Sequence, residues 1–441
     1  MTPVPIRTAY PPATSLSASV IFVETAAAHA HFEVPLKAGA PNQRQHLIAL
    51  GIALVITVIV LVAGVFYCDR MEQRYVHALA SDLSESKLQG VVLQMKAFQQ
   101  RDLLVLYGSS ELAKEMPNNP SQFFQDYPTG FRVFPVGQPG TTSLAVLQKV
   151  ASQGGAIRDK KVAFSISPGW FFTESFDPKW YEGNFSHLQA YELAFSNKLS
   201  PSLKQDIARR MLQYPKTLEN HWLLRFTLER LAGGSRTDRA LYAAVWPLGQ
   251  LQNAIGRAQD HFEAALHIMA EDEKLDQQPA KRGMHAVNWN DLVKRAAQFT
   301  VNKTSLQAKR NEIAKKRAKL ALESTEVHTQ TFLKQVTKAR EWTDLSLLLR
   351  TFQELGAKPL LLSMPVEDIR LEVYGISPAG RTAYLRRLEE TAEKYDVPLL
   401  DFRDHQKDAA FLVDFLDHLS PQGWMYYNKA LDDFYHAREE D

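Results

Sequence analysis

A serine hydroxyl attacks an acyl carbon only when a base takes its proton, and a histidine does this best when a carboxylate fixes its tautomer. Two stretches of this 441-residue chain carry those groups. In the first, Leu103-Leu-Val-Leu-Tyr-Gly-Ser-Ser-Glu-Leu-Ala113, an apolar run passes through Gly108 into Ser109 and Ser110. The second lies far downstream: Asp414-Phe-Leu-Asp417-His418-Leu-Ser-Pro-Gln-Gly-Trp424. A hydroxyl at a strand-to-helix turn sits where unpaired helix N–H groups point, so an oxyanion formed there is stabilised. Taken singly, each stretch has a plain structural reading. Ser109 or Ser110 can cap a helix, and a histidine is often a half-buried polar residue. Taken together they describe acyl transfer through a serine ester, with His418 as general base and then acid and Asp414 or Asp417 holding its tautomer.

Other chemistries find little support. The net charge of +2 gives no reason to expect a nucleic-acid partner. Cys68 is the single cysteine, which excludes an internal disulfide and a cysteine-based metal cluster. His261 and His267 are six apart and do not share a helix face, and no glycine-rich phosphate loop is present, so no metal or cofactor is expected.

The elements that must position these groups read as α/β. Apolar runs at Leu103–Leu106, Phe131–Val136, Val162–Ile166, Pro359–Leu362 and Val397–Phe402 predict strands, with helical patterns between them and hence a mostly parallel sheet. Ligands of such sheets bind at the carboxyl ends of the strands. Ser109 and Ser110 follow the first strand, Gly137-Gln-Pro-Gly140 the second and Ser167-Pro-Gly-Trp170 the third, which puts all three on one rim. Gly140 either lets a second N–H donor approach an oxyanion or is a turn glycine. Trp170 and Phe171 either wall an acyl pocket or belong to the core.

Before this domain, residues 1–46 are rich in Pro, Ala, Ser and Thr and read as a disordered tail. Residues 47–68 carry no charge and as a helix extend roughly 33 Å, enough to cross a bilayer. Their length and their distance from the start point to a retained transmembrane anchor, not a cleaved signal peptide. Lys37 and Arg44 on one side balance Arg70 and Arg74 on the other, so charge sets no orientation. Cys68, at the membrane edge, reads as a buried thiol before an acylated one. Residues 69–98 continue with helical spacing as a stalk. The rest, 99–441, forms one domain with a large helical insertion at about 197–345, where Leu203, Ile207 and Met211 recur at steps of four. Its basic run (Lys303, Lys309, Arg310, Lys315, Lys316, Arg317, Lys319) reads as a solvated helix face in preference to a polyanion or lipid site.

A serine after the first strand, a glycine turn after the second and a late Asp-His resemble the layout of SGNH or GDSL-type hydrolases. A closer resemblance is carried by Tyr107-Gly-Ser-Ser-Glu-Leu112, Val136-Gly-Gln-Pro-Gly-Thr-Thr-Ser-Leu144, Lys161-Val-Ala-Phe-Ser-Ile-Ser-Pro-Gly-Trp-Phe-Phe172, Phe185-Ser-His-Leu-Gln189, Leu203–Pro215, Gly356–Val366 and His418–Trp424. In this order they resemble successive blocks of DltD, the D-alanyl-lipoteichoic acid biosynthesis family, over most of the chain after the anchor and least in the middle helices. The resemblance implies a single-pass protein with an SGNH-like domain outside the cytoplasm. It would act with a D-alanyl carrier protein and a membrane-bound O-acyltransferase to place D-alanyl esters on a teichoic-acid-like envelope polymer. It also implies that Ser110, third in the Gly-x-Ser triplet, is the nucleophile and His418 the base, with Ser109 as fallback. The family places its acid three residues before the histidine, where this chain has Phe415. Phe411-Leu-Val-Asp414 resembles the approach to that acid and favours Asp414, which would share a helix face with His418; Asp417 would serve in a turn. Other functions open at this point are a thioesterase or esterase, an accessory of polysaccharide O-acetylation, and a scaffold without catalysis.

Overall fold

In the computed structural model, which describes residues 43–276, 286–298, 311–315, 325–408, 410–414 and 417–437, five strands make one sheet. They are β1 (Leu103–Gly108), β2 (Arg132–Gly137), β3 (Lys161–Ile166), β4 (Lys358–Ser363) and β5 (Leu399–Leu400), all paired in parallel in the order β2-β1-β3-β4-β5. Most of the N-terminal tail lies outside the described residues, as do Lys303, Lys309, Arg310, Lys316, Arg317 and Lys319 of the basic run.

The expected SGNH-like α/β fold, with a parallel sheet flanked by helices, is the one found. The strands coincide with the apolar runs, except that β5 keeps only two residues of 397–402. Phe402 has φ +49 and leads into a 3-10 turn at Arg403–His405, which ends the pairing. The sheet is covered on both faces, as continuous apolar strands require. Leu103, Val105 and Tyr107 pack into one core with α4 (Ser143–Gln153) and α9 (Glu341–Leu355), while Leu104 and Leu106 pack into the other with α10 (Pro421–His436). In this strand order the chain reverses direction across the sheet at β1 and β3, and the carboxyl ends there form the crevice where doubly wound sheets take ligands.

Helix α1 (Gln43–Tyr75) has 33 residues and is, among the described residues, the one helix long and apolar enough to cross a membrane. The chain divides into two units at Val58 and Ile59, within this helix. After Tyr75 the helix does not continue. A 3-10 turn at Ala78–Ser81, a short helix at Glu85–Leu88 and α2 (Val92–Gln99) follow, with Val76, Leu79, Leu93 and Ala97 buried in the core. Lys87 is buried there too, and its ammonium donates to the carbonyls of Leu79, Ala80 and Asp82 at 3.1, 2.9 and 2.6 Å.

Between β3 and β4 the described chain is helical. It includes α5 (His187–Ala194), α6 (Pro201–Met211), α7 (Trp222–Gly233), the 41-residue α8 (Arg236–Asp276) and, farther on, Thr325–Lys338. Arg210 of α6 meets Asp344 of α9 through Nε–Oδ1 at 2.7 Å and Nη2–Oδ2 at 2.9 Å, a buried fork that ties this region to the sheet layer. Glu341 is buried nearby; its Oε1 accepts from the Ser143 N–H at 2.8 Å, and its Oε2 has no partner among the described residues. Burial first, then the charge of Asp344, pushes the Glu341 carboxyl up. An acid raised in the folded state is held protonated there while the unfolded chain ionises. Stability is therefore fullest on the acid side and falls as pH climbs from the unfolded value through the native one. Glu341→Gln, neutral throughout, is expected to remove this slope. It should raise stability at pH 8 by roughly 1–3 kcal/mol while changing little at pH 5, as read from paired urea titrations.

Candidate active site

Gly108 ends β1 because the chain must fold back tightly on itself there: a Cβ would stand 2.4 Å from Glu111 Oε1. Gly137 ends β2 against it, where a Cβ would meet the Gly108 carbonyl carbon at 2.8 Å. The two glycines let the strand ends close up and turn Ser110 onto the rim as the first residue of α3 (Ser110–Ala113). This helix has four residues, so the dipole contribution expected from the sequence is small, and the local N–H groups matter more. The Ser109 N–H is taken by Glu111 Oε1 at 2.9 Å, and the Ser109 hydroxyl reaches only the Gln138 carbonyl at 3.5 Å. The Ser110 N–H has no hydrogen-bond partner among the described residues.

His418 arrives from the other end of the chain on an antiparallel bridge between Leu412 and Leu419. Val413 N donates to His418 O at 2.9 Å and Ser420 N to Phe411 O at 2.9 Å. The bridge, not a helix, brings residues 414 and 418 together. His418 Nε2 lies 2.9 Å from Ser110 Oγ, and its Nδ1 lies 2.7 Å from Asp414 Oδ2. A carboxylate at Nδ1 favours the tautomer with its proton there, leaving Nε2 to accept from the serine hydroxyl.

Asp414 has a second partner. Lys114 Nζ stands 2.7 Å from Asp414 Oδ2 and 3.2 Å from His418 Nδ1. Burial pushes the Asp414 carboxyl up, but the bonds from His418 and Lys114 outweigh it and hold the group well below the usual carboxylate range. Lys114 is only a donor, so it cannot be bonded to an Nδ1 that carries a proton; its place beside the ring is electrostatic and offsets part of the Asp414 charge.

Asp417 points elsewhere. Its φ of +65 turns it away from the imidazole, and its buried carboxylate accepts from Ser167 Oγ at 2.9 Å and Gly169 N at 3.0 Å, with Arg370 ion-paired to the other oxygen. It fastens the histidine segment to the rim after β3. Gly140 sits in a turn closed by Thr141 N to Gln138 O at 3.2 Å, with φ +82 after Pro139, the type II pattern. A Cβ on Gly140 would stand 2.3 Å from the Trp180 ring, so the turn and the indole together account for the glycine. Half-buried Trp170 meets Trp180 edge-on at 6.5 Å and Phe176 at 4.6 Å, making an aromatic layer between the second and third rim turns.

Sequence reasoning missed Lys114, Glu111, Arg370 and Trp180. Lys114 lies four residues after Ser110, a spacing shared with countless exposed lysines. Glu111, beside two serines, reads as solvated, yet it is buried and burial pushes its carboxyl up. One group among the described residues has cation-binding spacing: Asp69, Glu72 and His261. Side-chain contacts already engage it, with Lys96 Nζ 2.5 Å from Asp69 and His261 Nδ1 2.7 Å from Glu72.

A family model described as "DltD protein" matches residues 80–436. Three curated relatives, each named "Protein DltD", are similar to this chain over most of their length. The Bacillus subtilis protein is 25% identical over 367 residues, covering 81% of this chain and 88% of its own. The Staphylococcus aureus protein is 22% identical, with coverages of 86% and 92%, and the Lacticaseibacillus rhamnosus protein 23% identical, with 87% and 90%.

Proposed function

This chain belongs to the DltD family, and from that premise we propose that it is a membrane-anchored serine acyl-transfer protein of cell-envelope D-alanylation. The observation that carries the reading is the unbroken contact chain Ser110 Oγ–His418 Nε2–His418 Nδ1–Asp414 Oδ2, at 2.9 and 2.7 Å. Ser110 Oγ attacks the carbonyl carbon of an activated D-alanyl donor as its proton passes to His418 Nε2. The oxyanion meets the unpaired Ser110 N–H, with the Gly140 N–H as the second donor. The leaving group takes the proton back from His418 and departs, leaving a D-alanyl ester on Ser110. A hydroxyl of the envelope polymer then gives its proton to His418 and attacks that ester, and Ser110 is released with its proton restored. Asp414 holds the tautomer throughout, and Trp170 with Trp180 walls the acyl side of the rim.

In this reading α1 is a single-pass anchor, the domain after it lies outside the cytoplasm, and a D-alanyl carrier protein and a membrane-bound O-acyltransferase supply the donor. The same contact chain equally supports hydrolysis of an acylated carrier or polymer, or service in O-acetylation; the acceptor that resolves the acyl-enzyme separates them. The test is covalent labelling by a fluorophosphonate probe. Stoichiometric labelling of the full chain, lost in Ser110→Ala and kept in Ser109→Ala, is the expected result. Equal labelling of the Ser110→Ala chain would remove Ser110 from the role.

A further inference from the structure

We propose that α8 lies in the plane of the bilayer surface, with one face seated in lipid. The inference rests on reading α1 as a membrane span. The face is made of Leu241, Leu248, Leu251, Ile255, Leu266 and Met269, all exposed, with Leu251 and Leu266 at 57% and 62%. At 100° per residue these six positions fall within an arc of about 80°, and between Leu241 and Met269 no Asp, Glu, Lys or Arg falls inside it. The opposite face is the one that meets the domain, and it is partly polar. Asn253 and Asp260 are buried there with Ala264 and Ile268, and Asp260 accepts from the N–H groups of Val91 and Val92 at 2.7 and 2.8 Å. A helix that buries an aspartate and turns a stripe of leucines outward is inverted for water.

The stripe also has a direction. His261 Nδ1 reaches Glu72 of α1 at 2.7 Å, whereas the next residue, Phe262, packs on Gly64, where a Cβ would meet its ring at 3.1 Å. Two consecutive residues of α8 thus touch α1 at points eight residues apart, about 12 Å along its axis. The helices therefore cross instead of running side by side. Phe262 falls within the arc of the stripe, and Gly64 lies inside the uncharged run, while Glu72 lies beyond it. The leucine face is therefore the face of α8 turned toward the apolar part of α1. An uncharged aliphatic stripe crossing a span at its apolar edge suits the acyl boundary of a bilayer and needs no anionic headgroup.

The test uses the full chain with Cys68→Ala and single cysteines at Leu251, Leu266, Ala243 (exposed, off the stripe) or Ile59 (in the span). Each is labelled with an environment-sensitive fluorophore and reconstituted alone into phosphatidylcholine vesicles. Labels at 251 and 266 are expected to be quenched by doxyl-labelled lipid and shielded several-fold from iodide relative to 243, with 59 quenched by lipid as well. In a Leu248→Glu/Ile255→Glu chain, whose changes touch no core residue, the 266 label should lose its lipid quenching. Iodide access at 251 and 266 equal to that at 243, with 59 still in lipid, overturns the proposal and leaves the anchor standing. Access at 59 overturns both. Shielding that requires an added membrane protein would make the stripe a protein dock and also overturn it.

Discussion

Ser110→Ala is expected to abolish esterification of the envelope polymer, with a loss of at least roughly 10³-fold in acyl transfer and an unchanged fold. The size follows from what the hydroxyl does in the proposed scheme: it is the atom that forms the covalent bond, and no neighbour can stand in. Ser109 is on the wrong side of the turn, its N–H held by Glu111 and its hydroxyl directed at Gln138, with no bond to His418. The stability cost should be small, because the recorded side-chain bond of Ser110 is the one to His418 Nε2 and no cavity of consequence opens. Two measurements on the same variant separate chemistry from folding: D-alanine ester content of the envelope, and the thermal midpoint of the purified full chain. Undiminished ester content would sink the acyl-transfer reading. The scaffold reading predicts the reverse pattern, with Ser110→Ala/His418→Ala harmless and loss of residues 197–345 fatal.

The sheet is largely legible in the sequence because a parallel strand buried on both faces must be a continuous apolar run, and each run here stops at glycine, proline or a polar turn. The rim follows from it, since what comes after each strand must lie at one edge. Less legible are the features that depend on segments distant in the chain. Residues 76–98 have helical spacing that suits a stalk equally well, and only their burial against β1 and β2 shows them as part of the core. The pairing of Asp414 with His418 comes from the Leu412–Leu419 bridge, a local closure that helical or turn arithmetic does not supply. Lys114 is beyond sequence reasoning altogether, because its partner lies three hundred residues away in the chain. The outward leucines of α8 carry an ordinary helical period, and the period alone does not say which face is buried.

The two aspartates should respond oppositely to the same substitution, and this gives the sharpest division of labour at the site. Asp414→Asn keeps the shape but can present an amide N–H to Nδ1, favouring the wrong imidazole tautomer; transfer should fall about 10³–10⁴-fold. Its side chain is 30% exposed and the Lys114 it leaves behind is 37% exposed, so the freed ammonium can find water and stability should shift by no more than about 1 kcal/mol. Asp417→Asn should do the converse. Asparagine tolerates the φ of +65, so the backbone is not disturbed, but Arg370 is left as a nearly buried charge without its partner. Removing one member of such a pair costs about 3–5 kcal/mol. Adding Arg370→Met should return part of that stability, because the orphaned charge goes with it. Urea titrations and single-turnover acyl transfer on both variants read the two quantities independently. If Asp417→Asn proved stable and inactive while Asp414→Asn was active, the orienting role would pass to Asp417, and the 2.7 Å contact at Nδ1 would be only an ion pair of the folded segment.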